Sequence, residues 1–164
     1  MTALPAGGRS SPAPEWPLIP DVVMAARRDL AEAKVEHLRY DLSEGKPVEF
    51  HLERAEEKLA ILERQLAEQK RLEAQVWDDL WTTPQSIAWE QLGWLRDVAQ
   101  YVRHKVLAEL GDMDSAKEAR QWSDRLGLSP LAMLRLRWRI ADDEVAERRQ
   151  ESTANARGRI KAVG

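Results

Sequence analysis

The chain is predicted to be all-α, and three observations predict it. Ala, Leu, Glu, Arg and Gln dominate while Ile, Thr, Tyr and Phe are scarce, which is the usage of helices. Apolar residues recur three and four positions apart over long stretches. The breaks between those stretches carry the Gly, Pro, Ser and Asp that end and begin helices. The expected architecture is a coiled-coil-like helical hairpin plus a Trp-rich helical core, with disordered termini. A length of 164 residues suits one domain with extensions.

Residues 1–20 read MTALPAGGRSSPAPEWPLIP. Pro and Gly interrupt this stretch too often for helix or strand, so a disordered or extended tail is expected. Trp16, Pro17, Leu18 and Ile19 form one apolar knot within it. The knot either pins the tail to the domain or docks on a partner.

Residues 21–76 are read as an antiparallel hairpin. Asp21 is a suitable N-cap. Val23, Leu30, Leu38 and Leu42 recur at near-helical spacing, helped by Ala26, Ala31 and Val35, and Ser43-Glu44-Gly45-Lys46-Pro47 is a stop signal. From Val48, the residues Leu52, Ala55, Leu59, Leu62 and Leu66 follow at alternating steps of four and three. That is a heptad seam. Gln69 and Glu73 interrupt it before Leu72, Val76 and Leu80. Such a seam packs within a chain or pairs chains. Val48, Leu52, Leu59, Leu62 and Leu66 are therefore candidates for oligomerisation.

Residues 77–150 are read as the core, because six of the seven tryptophans lie between Trp77 and Trp138. The long helix must stop by Thr82-Thr83-Pro84. Thr83 would cap a short helix ending at Gly93, and a broad buried face runs from Trp94 to Leu110. Asp114 or Ser115 would cap the next helix. Gly127 makes a tight turn, and Ser129 and Pro130 are N-cap and first residue of a last helix. On that helix Leu131, Leu134, Trp138, Ala141 and Val145 would share the buried face. No stretch is read as alternating at period two over a strand's length. Residues 151–164 form a basic C-terminal tail.

The chemistry that these residues exclude is broad. There is no cysteine, hence no disulfide, Cys-metal site or thiol catalysis. There is no phosphate-binding Gly-rich loop with Lys-Ser/Thr and no G-x-S-x-G elbow. His37, His51 and His104 lack metal-ligand spacing. His37 and His51 could approach across the hairpin turn, although two solvated histidines are the simpler reading. Neighbouring acids, as in Asp78-Asp79 and Asp142-Asp143-Glu144, point about 100° apart on a helix and do not converge. No catalytic residue, metal or cofactor is expected. No run of apolar residues is long enough to span a bilayer, so no membrane partner is expected either. Net charge is -3, so binding a polyanion would require a local basic patch.

One segment does carry a functional pattern. Residues 115–140 resemble a helix-turn-helix in layout, with Ser123, Gly127 and Met133 at the offsets such a unit needs. Arg135, Arg137 and Arg139 would then decorate the recognition helix and meet phosphate or guanine. The plainer reading is that Gly127 ends a helix while Leu131, Leu134 and Trp138 seal the core, and Trp138 favours packing. Arg148 and Arg149, then Arg157, Arg159 and Lys161 of the tail, extend the set of candidate phosphate contacts.

The pairing of LWTTPQSIAWEQLGW with DRLGLSPLAMLRLRWRIADDE resembles the small terminase subunits of tailed bacteriophages and prophages, particularly those of actinobacterial hosts. The likeness runs from Val76 to Glu147, about half the chain, and is densest from Arg125 to Trp138. The resemblance implies a non-enzymatic homo-oligomeric ring in the cytoplasm of the bacterial host. It further implies binding to double-stranded viral DNA at the packaging start. It also implies recruitment and regulation of the large terminase subunit, which holds the ATPase and nuclease. Gly127, Ser129 and Pro130 are the motif positions carried over, with Trp138 beside them, all read as structural. Many relatives carry an obvious N-terminal helix-turn-helix, and residues 1–42 here show no such turn. DNA contact would then fall to the C-terminal segment. The alternatives are a helix-turn-helix transcriptional regulator and a helical scaffold or interaction protein.

Overall fold

The computed structural model describes residues 1–141. In order these form β1 (Thr2–Pro5), α1 (Val22–Ser43), α2 (Glu49–Trp81), α3 (Gln85–Leu92), α4 (Leu95–Glu109), α5 (Met113–Arg125), α6 (Pro130–Arg135) and β2 (Trp138–Ala141). The fold is all-α, with one two-stranded parallel pair, β1 against β2, joining the two ends of the described chain.

α1 starts where Asp21 accepts a hydrogen bond from the Met24 amide, which satisfies one otherwise unpaired helix N–H. It ends at Glu44, followed by Gly45 at φ +80°. The turn returns the chain as α2, antiparallel to α1. Val35, Leu38 and Ala55 are buried between the two helices, and Val48, Leu52 and Leu59 pack around them. The heptad seam thus closes within one chain, and those three candidates for oligomerisation face α1. Leu62 and Leu66 are half-buried. The α1 face agrees with expectation at Ala31, Val35 and Leu38, which are inside with Met24, and departs from it at Val23 and Leu30, which are 62% and 73% exposed.

α2 runs unbroken through the expected boundary between residues 76 and 77. Hairpin and core therefore share one helix. Gln69 and Glu73, which interrupt the seam, are buried, and they bond to each other. Gln69 Nε2 also donates to Asp21, and Arg103 of α4 donates to both Glu73 oxygens at 3.0 and 3.4 Å. The polar seam positions thus tie α1, α2 and α4 together by charge-assisted bonds.

The main core lies at the lower half of α2. Trp77, Trp81 and Trp89 stack edge to face, with Trp16 beyond Trp77. Val98, Ala99, Val102 and Val106 of α4 fill the other side. Gly93, at φ +71°, closes α3 in the left-handed conformation that glycine adopts without strain. α5 is capped by Asp112 rather than by Asp114 or Ser115, and Pro84 rather than Thr83 holds the N-cap position of α3, the Thr83 hydroxyl donating back to the Leu80 carbonyl.

Two sequence expectations are corrected at the chain ends. The first 20 residues are not a loose tail. Leu4 and Leu18 are buried in the core, Trp77 Nε1 donates to the Pro14 carbonyl at 2.7 Å, and Arg96 and Arg103 hold the carbonyls of Pro17 and Ile19. Gly8 lies so close to the Thr82 carbonyl that a Cβ would sit 2.2 Å from it. Many scattered prolines and glycines suit such a segment, because its backbone groups are met by side chains of the domain rather than by a helix.

The last helix also stops early. α6 ends at Arg135, Arg137 takes φ +56°, and the chain then extends along β1. Leu136 and Trp138 both pack inward. In a helix, residues two apart point about 200° apart and could not do so. In an extended chain they share a side. Leu131 and Leu134, expected in the core, are 56% and 61% exposed, while Ala132 is buried. The expected helical face through Leu131, Leu134, Trp138 and Ala141 does not form. Val145 lies outside the described residues.

Candidate nucleic-acid interface

The candidate site is built on the turn between α5 and α6. Gly127 follows the α5 cap Leu126 at φ +74°. A Cβ there would lie 2.7 Å from Cζ3 of Trp138, so only glycine lets the indole close over the turn. The buried carbonyls of this turn are satisfied from α3. Trp89 Nε1 donates to the Leu126 carbonyl at 2.9 Å, and Gln85 Nε2 donates to the Gly127 carbonyl at 3.1 Å. Ser129 caps α6 by accepting from the Ala132 amide, with Pro130 in the first turn. Gly127, Ser129, Pro130 and Trp138 are thus structural, and Trp138 also reaches Trp94, with ring centroids 6.0 Å apart.

On this platform the strict alternation of Arg135, Leu136, Arg137, Trp138 and Arg139 has a simple result. Leu136 and Trp138 turn inward and the three arginines are exposed. Arg135 is the last residue of α6, Arg137 occupies the left-handed junction, and Arg139 belongs to β2. They do not share a recognition helix. α6 has six residues, too few for the recognition helix expected within residues 115–140. None of the three arginines makes an ion pair with a carboxylate among the described residues. Three solvated guanidiniums within five residues can contact successive phosphates, a mode that positions nucleic acid without reading its bases.

Sequence reasoning missed a fourth cation here. Arg125 lies over the Trp122 ring, 5.4 Å from its centroid, at the end of α5 just before the glycine turn. The Trp-x-x-Arg spacing on a helix was the available signal. Arg148, Arg149, Arg157, Arg159 and Lys161 lie outside the described residues.

Elsewhere, a cavity of about 620 Å³ sits between the N-terminal segment and α2, lined by Trp16, Gln69, Glu73, Trp77 and Arg103 among others. It is walled by residues of the N-terminal segment, α2 and α4, and none of the three arginines lines it. Among the described residues no group of three His, Asp or Glu side chains could hold a metal ion, and no helix is long and apolar enough to cross a membrane. Comparison of the chain with protein-family models, with curated proteins and with solved structures finds no match.

Proposed function

We propose that this chain is a non-enzymatic DNA-packaging adaptor of the small-terminase type. In this reading it acts as a homo-oligomeric ring in the cytoplasm of a bacterial host. It binds double-stranded viral DNA and recruits the large terminase subunit. The observation that carries the reading is the arginine trio of Arg135, Arg137 and Arg139, exposed and without ion pairs among the described residues, on the Gly127–Trp138 platform. The same segment, Arg125 to Trp138, is where the sequence resembles small terminases most densely. The arrangement favours phosphate contact over insertion of a helix into the major groove, which lends less support to a transcriptional regulator.

The test is DNA binding by the full chain over a salt series, combined with native mass spectrometry. Steeply salt-dependent binding to duplex DNA by a closed ring is the expected result. A strict dimer reading paired half-sites would favour the regulator instead. No binding at low salt would remove the DNA role.

A further inference from the structure

We infer that the outer groove of the α1–α2 hairpin is a docking site for an acidic amphipathic helix of a partner protein. This stands apart from the DNA-packaging reading and uses none of its arginines. The groove, about 990 Å³, runs between the two helices on one side of the hairpin. Ala31 and Ala55 form its buried floor, and Leu30, Phe50 and Ile61, which are 73%, 65% and 59% exposed, stand along its edges. Phe50 and Ile61 stand about 16 Å apart along α2, so the exposed apolar side chains are spread along the groove, as on an interaction surface.

The rim is basic. Arg27 and Lys34 line it from α1, and Arg54 and Lys58 from α2, against one carboxylate, Glu57. None of the four cations makes an ion pair among the described residues, and Arg54 lies over the Phe50 ring at 5.7 Å. The spacing explains the groove. Residues 27, 30 and 34 on α1, and 54, 58 and 61 on α2, are three and four apart, so each set lies on one helix side. A third helix laid here would complete a three-helix packing. It needs an apolar stripe for the floor and Asp or Glu flanks for the rim.

This chain does not supply such a helix among its described residues. Pairing the groove with itself in a second copy would bring two sets of four cations together. Helical spacing puts Glu49, Glu53, Glu56 and Glu63 of α2 away from the groove, together with Arg64 and with Arg39, which bridges Glu56. The apolar side chain on that face of α2 is the small Ala60, with Arg64 also in line with Glu53, so a second copy meeting the groove through it would leave Leu30, Phe50 and Ile61 uncovered. Duplex DNA would match the charge and likewise leave the three apolar side chains unmatched.

The test uses the full chain and a fluorescent synthetic peptide of about three heptads, with a Leu stripe at a/d spacing and Glu flanks. Saturable binding is expected, weakened about ten-fold or more by Arg54→Glu with Lys58→Glu, and likewise by Leu30→Ser with Ile61→Ser. All four positions line an open groove, and unchanged circular dichroism checks the fold of each variant. The proposal is overturned if a scrambled peptide of equal charge binds as well, or if the groove variants bind normally. It is also overturned if Leu30→Ser with Ile61→Ser dissolves a self-assembled oligomer, which assigns the groove to a second copy. Loss of duplex-DNA binding in the Arg54/Lys58 variant would overturn it too, assigning the groove to nucleic acid.

Discussion

Gly127 and Trp138 meet so closely that no Cβ fits between them, since one built on Gly127 would stand 2.7 Å from the indole ring. The contact joins the α5–α6 turn to the strand that ends the described chain. It holds the exposed arginines on either side of Trp138 in a fixed backbone frame.

Gly127→Ala should therefore destabilise the fold by roughly 1–3 kcal/mol, from a strained positive φ and from overpacking. Urea unfolding monitored by tryptophan fluorescence measures this. An unchanged midpoint would mean that the indole swings away freely.

Leu4 is 2% exposed although it lies within a stretch that reads as a tail. Leu4→Ala should cost about 2–5 kcal/mol, as core truncations do. A dangling terminus would tolerate the change without loss.

Arg103→Met should be far more harmful than its surface neighbours, because it strands the Glu73 carboxylate, whose side chain is 11% exposed. A penalty of roughly 3–5 kcal/mol is expected for breaking such a buried pair. Adding Glu73→Leu should recover much of it, since no charge is then left unpaired. Thermal unfolding of the single and double variants provides the comparison.

Replacing Arg135, Arg137 and Arg139 together with Gln should leave the unfolding midpoint unchanged, because all three are exposed. The slope of log affinity for duplex DNA against log salt should fall by about 0.9 for each phosphate contact removed. An unaltered slope would assign DNA binding to another surface.

Asp112 caps α5, and hydrogen bonds from Ser115 and from the Asp114 amide hold its carboxyl below the ordinary value of 3.8. A depressed carboxyl stabilises the fold above its unfolded value and loses that contribution as pH falls through the folded one. The difference in thermal midpoint between the parent and Asp112→Asn should be largest above about pH 5 and shrink below pH 4. A pH-independent difference would leave only the neutral capping bond.

Much of the helical layout is legible because helix ends are local chemistry. Asp21, Gly93, Ser129 and Pro130 act within a turn of themselves, and their roles follow from their neighbours. The seam through Val48, Leu52 and Leu59 is legible for the same reason, but its partner is not. Periodicity states that a face is buried without stating against what. The Leu-Arg-Leu-Arg-Trp-Arg alternation held the signal for an extended segment, and it was hidden by the helical pattern just before it. Read at period two, it places Arg135, Arg137 and Arg139 outside and Leu136 and Trp138 inside.

The sequence by itself determined an all-α chain, its hairpin, its Trp-rich core and the caps at Asp21, Gly93 and Ser129, since these depend on residues a few positions apart. Only the tertiary structure decided that residues 2–5 pair with residues 138–141, and that α6 stops at Arg135 as a consequence. It also decided that Gln69 and Glu73 are buried partners of Asp21 and Arg103. The physical reason is separation along the chain. A four-residue strand and a buried carboxylate are unfavourable alone, and become favourable only when distant hydrogen-bonding partners are brought to them.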